Sequence, residues 1–362
     1  MNSSSNSSES FDPSDAGPQD ASGDAESIDK SRQRSLRAAV LTHGDDRARA
    51  YERHPLVTNN LRLPTPAVKE SYAEIERAII HREPGTCFVT QFRVGKTTGI
   101  AVIVATLKEA FKNDFAVGCV IAKYHKSSSE YTFYSDILES FKHLGTRTKS
   151  STLLRKRVLE TVRNQARRAK TDRYLLVIDE GQNWSEDEWT FLRDLTNDWI
   201  NDGLSIIPVV FAHPKLEEVI QQLKVNQRTD LIGRFLLSLR AFKGVSSLED
   251  FTAIARLYDD AAVAEYPPQS GISVSEFFMP NAWRGGWRFE QEINPMFDAF
   301  SALTNPGTDL TLNIGMNWVT AAVRNFFFSQ TTIEHVGFQS SAEVWADAVA
   351  GSGYEASFFR ED

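Results

Sequence analysis

The stretch from Thr86 to Thr98 constrains the fold of this chain more than any other. A short apolar run, Thr86–Thr90, reads as a buried strand, and Lys96–Asn113 carries the apolar spacing of a helix. Between them lies Thr90-Gln91-Phe92-Arg93-Val94-Gly95-Lys96-Thr97-Thr98. A loop between a strand and a helix N-terminus can turn its backbone N–H groups onto an anion, and the helix dipole adds to the attraction. Gly95, Lys96 and Thr97 fit the parts that hold a triphosphate: a tight turn, a cation for the β- and γ-phosphates and a hydroxyl for Mg²⁺. Arg93, Val94 and Thr98 complete the expected cradle. Thr90 stands where the motif has its first glycine, so the loop is expected to be tighter or differently shaped, with a slower hydrolysis.

The rest of the chain supplies the sheet that such a loop needs. Strands are expected at Val117–Ala122, Tyr174–Ile178, Ser205–Ala212 and Leu236–Ala241, separated by helices at Glu130–Leu144, Thr152–Ala169 and Ser185–Ile200. Ser185 followed by Glu188 is a capping box that fixes the start of the last of these. Strands alternating with helices imply parallel crossovers and a three-layer α/β domain. The third strand ends in Asp179 and Glu180, 83 residues beyond Lys96, at the strand edge where ligands bind in open α/β sheets. Asp179 is expected to share Mg²⁺ with Thr97, and Glu180 to orient and deprotonate an attacking water. From about residue 246 the pattern turns helical, with one face made by Phe289, Ile293, Met296, Phe297 and Phe300 and another by Met316, Val319, Val323, Phe326 and Phe327. The boundaries expected are a disordered acidic, Ser-rich tail over 1–35, an N-terminal extension over 36–65, the α/β domain over 66–245, a helical lid over 246–331 and a C-terminal tail over 332–362. The stretch 261–285, with three prolines, reads as an irregular insert without an assigned place.

Net charge is −8, which at face value speaks against nucleic acid as a partner. Its distribution says otherwise. Residues 1–29 carry −7, residues 30–173 carry +14 and residues 174–362 carry −15. That split suits head-to-tail stacking of subunits as well as DNA binding. Two cysteines, Cys87 and Cys119, make no disulfide framework, and seven scattered histidines show no metal-ligand spacing. The sequence presents no secretory leader and no apolar run long enough for a bilayer, so a cytoplasmic, nucleoid-associated protein is expected.

Further residues are candidates for sensing and for DNA. His213 follows the fourth strand, where a group could contact a γ-phosphate or a water; it is equally placed to start a helix before Pro214. Arg234 precedes the fifth strand and could act on a neighbour's nucleotide, and Arg288 could reach back from the lid; both could equally be solvated surface arginines. Residues 142–173 hold eleven basic and two acidic residues. Within that helix Leu154, Val158, Val162 and Ala166 form an apolar stripe, leaving Lys156, Arg163, Arg167 and Lys170 on other faces for DNA phosphates or for an acidic neighbouring subunit. Lys123 and Lys126, after the second strand, are the other DNA candidates.

The phosphate loop, the strand end Val-Ile-Asp-Glu-Gly-Gln, the Arg before the fifth strand and the helical lid together resemble an AAA+ ATPase. More narrowly, His54-Pro55-Leu56-Val57-Thr58-Asn59-Asn60, Leu63-Pro64-Thr65-Pro66 and Tyr124-His125-Lys126 are similar to the transposon-encoded regulators of the TnsC, TniB and MuB type. The resemblance covers roughly residues 50–330. It implies an ATP- and Mg²⁺-dependent ATPase that assembles as a ring or helical filament, hexameric per turn, on double-stranded DNA, receives a target-selector signal and recruits a transposase. It assigns nucleotide binding to Lys96, the magnesium hydroxyl to Thr97, the acidic pair to Asp179 and Glu180, an arginine finger to Arg234 and a lid arginine to Arg288. A helicase loader of the DnaC and IstB type, or a nucleotide-gated signalling NTPase without DNA contact, are the alternatives.

Overall fold

The computed structural model describes residues 21–83, 86–91, 94–112, 114–145, 148–303 and 313–357. Five parallel strands form one sheet: β1 (Thr86–Val89), β2 (Ala116–Ile121), β3 (Arg173–Asp179), β4 (Ser205–Ala212) and β5 (Ser238–Ala241), in the order β2-β3-β4-β1-β5. β3 lies between β2 and β4, with Ile121 opposite Asp179 and Asp179 opposite Phe211, so the C-terminal ends of these strands share one edge. Parallel pairing demands crossovers, and helices supply each one. They are α4 (Lys96–Ala110), α5 (Glu130–Ser140), α6 (Ser151–Arg168), α7 (Glu186–Asn201), α8 (Leu216–Val225) and α9 (Thr229–Phe235). α3 (Pro66–His81) precedes the sheet.

The period of two along β3 divides the core. Leu176 and Ile178 pack with α5, α6, α7, α8 and α9, including the buried Trp189 and Trp199. Leu175 and Val177 face the other way, onto α3 and α4 through Ile75, Ile100 and Ile103. α6 is buried along the stripe expected of it: Leu154, Val158 and Val162 are fully buried and Ala166 nearly so. The capping box at the start of α7 is formed in both directions, Glu188 N–H to Ser185 Oγ and Ser185 N–H to Glu188 Oε2.

A helical domain follows, built from α10 (Leu248–Asp259), α11 (Val274–Phe278), α12 (Pro280–Arg284), α13 (Ile293–Leu303), α14 (Met316–Gln330) and α15 (Ala342–Ala350). One antiparallel bridge, Val245 with Ile314, ties the segment after β5 to the segment before α14. It brings the start of α14 against the phosphate loop.

The structure departs from the expected boundaries at both ends. The tail expected to be disordered over 1–35 is helical from Ala21, as part of α1 (Ala21–Leu41), while residues 1–20 lie outside the described residues. α1 is held by tertiary contacts that its own composition does not announce: Arg37 pairs with Glu276 and donates to the Gly271 carbonyl at 2.8 Å, and Val40 is buried. α2 (Asp45–Arg53) joins it, with Arg47 buried and donating to the carbonyls of Val40 and Phe277. The segment read as a C-terminal tail belongs in part to the lid core. Trp345 of α15 is fully buried, stacked on Phe326 at 4.5 Å, and its indole N–H donates to the buried Glu292 at 2.9 Å. The insert over 261–285 is also core, through the fully buried Phe277, Phe278 and Met279 of α11 and the start of α12.

His54, just after α2, packs the N-terminal extension against the helical domain. Its ring is fully buried, 4.5 Å from Phe277 and 4.8 Å from both Phe278 and Tyr266. Nδ1 accepts the Leu56 N–H at 3.0 Å. Burial lowers its pKa to about 3, so the native ring stays neutral where the unfolded chain, near 6.5, takes up a proton. Stability is therefore complete above about pH 6.5 and falls as pH drops towards 3, by up to about 1.4 kcal/mol per pH unit. His54→Asn, which keeps an acceptor near Nδ1 and removes the titration, is expected to flatten that slope in denaturant melts at pH 7, 6, 5 and 4. An unchanged slope would place the acid sensitivity elsewhere.

Candidate nucleotide site

The site is built at the C-terminal edge of the sheet, where β1, β3 and β4 end. Thr90 continues β1; its N–H donates to the Ala212 carbonyl at 2.9 Å and the residue is buried. Gly95 ends the loop at φ 92°, in the left-handed region, immediately before α4. A Cβ built there would meet Met316 Cβ of α14 at 3.3 Å. Glycine therefore serves two ends at this position: the conformation, and the close approach of the lid helix. Lys96 and Thr97 open the first turn of α4 and point to the end of β3. Arg93 lies outside the described residues.

Asp179 and Glu180 meet Lys96 and Thr97. Lys96 Nζ is 3.0 Å from Asp179 Oδ1 and is also ion-paired with Glu180 Oε1. Thr97 Oγ1 donates to Asp179 Oδ2 at 3.3 Å, and the Glu180 N–H donates to Asp179 Oδ1 at 2.9 Å. Glu180 itself has φ 62°, uncommon for a residue with a Cβ. Gly181 follows with its backbone pressed on β4, since a Cβ there would come within 2.5 Å of Val210 Cγ1. Burial acts to raise the Glu180 carboxyl, but hydrogen bonds from Lys96 and Gln182 and the Lys96 charge outweigh it and hold the group below its ordinary range. His213 lies in the same cleft, and burial together with the Lys215 charge lowers its imidazole from the ordinary value, so the neutral ring prevails at pH 7.

Gly95, Lys96, Thr97, Glu180 and His213 line a cleft of about 230 Å³, together with Thr90, Gln91, Thr98 and Asn317 of α14. A second cleft of about 240 Å³ shares Gly95, Thr98 and Asn317 and is bounded by Asn59, Leu61, Phe242, Thr320 and Arg324. The first is polar, with the ion-paired Lys96 and Glu180 at the α4 N-terminus, and the second mixes apolar walls with amide and hydroxyl groups and the Arg324 guanidinium. Val94 is buried and forms a wall of the second. The pairing of one hydroxyl with one carboxylate fits Mg²⁺, which keeps several waters and takes one or two carboxylates plus phosphate oxygens. Among the described residues no cluster of three or more His, Cys, Asp or Glu side chains makes a metal site of another kind.

Not every candidate reaches this cleft. Arg288 does not: its guanidinium lies 3.6 Å from the Trp283 ring centroid and donates to the carbonyls of Trp283 and Trp287. The lid side that faces the nucleotide cleft is α14, through Asn317, Thr320 and Arg324, which helical spacing puts on one face. Arg234 lies on α9 beside a different cleft and is held by α7, donating to Thr196 Oγ1 at 3.1 Å and to Asn197 Oδ1. Among the DNA candidates, Lys123 is bound to Asp136 and Glu139 at 2.9 and 2.8 Å, and Arg163 to Glu160 and Asp202. Lys126, Lys156, Arg167 and Lys170 are exposed. Arg163, Arg167 and Lys170 border an open cleft of about 580 Å³ where β3 and β4 begin, at the opposite edge of the sheet from the nucleotide cleft. Sequence reasoning passed over Gln182, Asn59, Asn317 and Arg324. The spacing 317, 320, 324 was the available signal for α14, and Gln182 sat within the quoted Asp-Glu-Gly-Gln string.

Residues 81–220 match the family model of the AAA domain. The structure has the AAA+ P-loop NTPase fold, with its helical C-terminal region in the position of a lid. It is similar to the Aeropyrum pernix ORC2 protein in its ADPNP–ADP complexes, with TM-score 0.55 and 13% identity over 82% of this chain and 71% of that one. The ADP form of the same protein aligns at TM-score 0.49 and 14% identity, over 82% of this chain and 70% of that one. Domain III of the Thermotoga maritima replication initiation protein DnaA aligns at TM-score 0.40 and 13% identity, over 79% and 92%. Among curated proteins none matches in sequence.

Gly95→Ala tests the tight corner of the site. A side chain at φ 92° and 3.3 Å from Met316 Cβ is expected to destabilise the fold by about 1–2 kcal/mol in chemical denaturation. A variant as stable as the parent would contradict the packed loop–lid contact.

Proposed function

We propose that this chain is a Mg²⁺-dependent ATPase that works as a nucleotide-controlled regulator of DNA transposition on double-stranded DNA. The observation that carries the ATPase reading is the meeting of Lys96 and Thr97 with Asp179 and Glu180 at one sheet edge. Lys96 leaves the two carboxylates for the β- and γ-phosphates, which the N–H groups at the start of α4 also hold. Thr97 and Asp179 would hold Mg²⁺, which supplies charge neutralisation at the phosphates. Glu180, kept ionised by its partners, takes a proton from the attacking water. His213 lies beside it in the cleft. The adjoining cleft suits the nucleoside, with Asn317 and Arg324 reading its occupancy from the lid. The similar ORC2 structure is described as holding ADPNP and ADP, which accords with this assignment.

DNA binding is supported by the exposed cations of α6 and by Lys126, and the transposition setting by the sequence resemblance to TnsC-type regulators. Assembly as a ring or filament, with Arg234 acting on the neighbouring subunit, and partnership with a transposase and a target selector belong to the same proposal. Among the described residues no helix is long and apolar enough to cross a membrane.

Lys96→Ala is expected to abolish ATP binding in calorimetry, while Glu180→Gln keeps binding and lowers turnover by about 10²-fold or more. Turnover at the parent rate in Glu180→Gln would remove the base assignment. For DNA, the triple variant Lys156→Ala, Arg167→Ala, Lys170→Ala is expected to weaken duplex binding with ATP uniformly across sequences. The slope of log affinity against log salt should fall by about 2–3. An unchanged slope would move DNA to Lys126 and the β2–α5 loop. Absence of any duplex binding at low salt would favour the nucleotide-gated switch without DNA.

A further inference from the structure

The ATPase reading gives Lys96 phosphates to hold and Glu180 a water to activate, yet the two side chains grip each other. Both arrangements cannot persist together. Once Lys96 turns to a nucleotide, Glu180 loses the ion pair on Oε1. The other hydrogen bond to its carboxylate among the described residues comes from Gln182, whose Nε2 lies 2.6 Å from Glu180 Oε2.

The far end of that amide is fixed as well. Gln182 Oε1 accepts the His213 backbone N–H at 2.9 Å. The two contacts define the amide orientation, because the flipped side chain would set an oxygen against a carboxylate and an NH₂ against an N–H. The side chain therefore spans from the residue after β3 to the residue after β4. Its reach depends on Gly181, whose missing Cβ lets the turn lie directly on Val210. It also supports a glutamate at φ 62°, a conformation that residues with a Cβ rarely adopt unless the surroundings hold it. A second tie runs in parallel further on, where Asn226 and Arg228, beyond α8, both hold Glu186 at the start of α7. The segment after β3 is thus fastened to the segment after β4 at two points.

We infer that Gln182 is a positioning residue for hydrolysis: it holds the Glu180 carboxylate in place after Lys96 has moved to the nucleotide, and it links that carboxylate to the β4–α8 turn at His213. The inference rests on the ATPase reading. It makes the turn of His213, Pro214 and Lys215 a lever, since a displacement there is carried through one side chain to Glu180.

Gln182→Met tests it with a side chain of equal length that makes neither hydrogen bond. Thermal unfolding is expected to match the parent, and affinity for Mg²⁺-ATP to stay within about threefold, while kcat falls about 10-fold or more. Gln182→Asn, one methylene too short to span both partners, is expected to lose as much. Parental kcat in either variant overturns the inference, and so does a loss of kcat with an equal loss of affinity, which marks a merely structural role. The two failures are separable. Absence of ATP turnover in the parent protein would remove the ATPase reading, and parental turnover in Glu180→Gln would remove the base assignment, whereas an inactive Glu180→Gln beside a fully active Gln182→Met would remove only the role of Gln182.

Discussion

The ion pairs that Lys96 makes with Asp179 and Glu180 organise the rest of the molecule. They join two segments 83 residues apart in sequence, and each is in place because of how a parallel sheet is built. β1 delivers the loop that ends in Gly95, and β3, two strands away across β4, delivers the carboxylates to the same edge. Three charges gathered in a half-buried cleft attract strongly and cost solvation to assemble. An incoming triphosphate answers that cost by supplying negative charge for Lys96, leaving the carboxylates to their other partners. A lysine that pairs with the protein's own carboxylates and can re-pair with phosphates suits a protein that responds to a nucleotide.

The lid meets this site through α14 and not through Arg288. The reason lies in two backbone hydrogen bonds, Val245 N–H to Ile314 O and Ile314 N–H to Val245 O, both 2.8 Å. They fix the chain just before α14 to the chain just after β5, so the first turn of α14 arrives beside Gly95. Arg288 sits instead in a shell of lid aromatics, satisfied by two carbonyls and an indole face.

The α/β half was legible because its signals are local. An apolar run with β-branched residues, a capping box and a stripe at helical spacing each report their own element, and Ser205–Ala212 falls on the residues expected of β4. Asp179 and Glu180 could be paired with Lys96 because strand ends in such sheets share an edge. The N- and C-terminal parts were not legible for the opposite reason. α1 is polar in composition, and its order depends on Glu276 and the Gly271 carbonyl more than 230 residues away. α15 offers one tryptophan whose partner, Glu292, is buried with Trp287, Trp345 and Ser340 all donating to it. The basic run over 142–173 was visible, but not that Arg163 would be taken up by Asp202 from the loop after α7. Contacts of that kind exist only after the fold does.

The central claim is that the Lys96 cluster is a nucleotide site which re-pairs on binding. A crystal structure with ADPNP and Mg²⁺ tests it most directly. The account predicts phosphate oxygens on Lys96 Nζ and on the N–H groups at the start of α4, the base beside α14, and Glu180 released from Lys96. Nucleotide bound away from this cleft, with Lys96 still paired to Asp179 and Glu180, would contradict it.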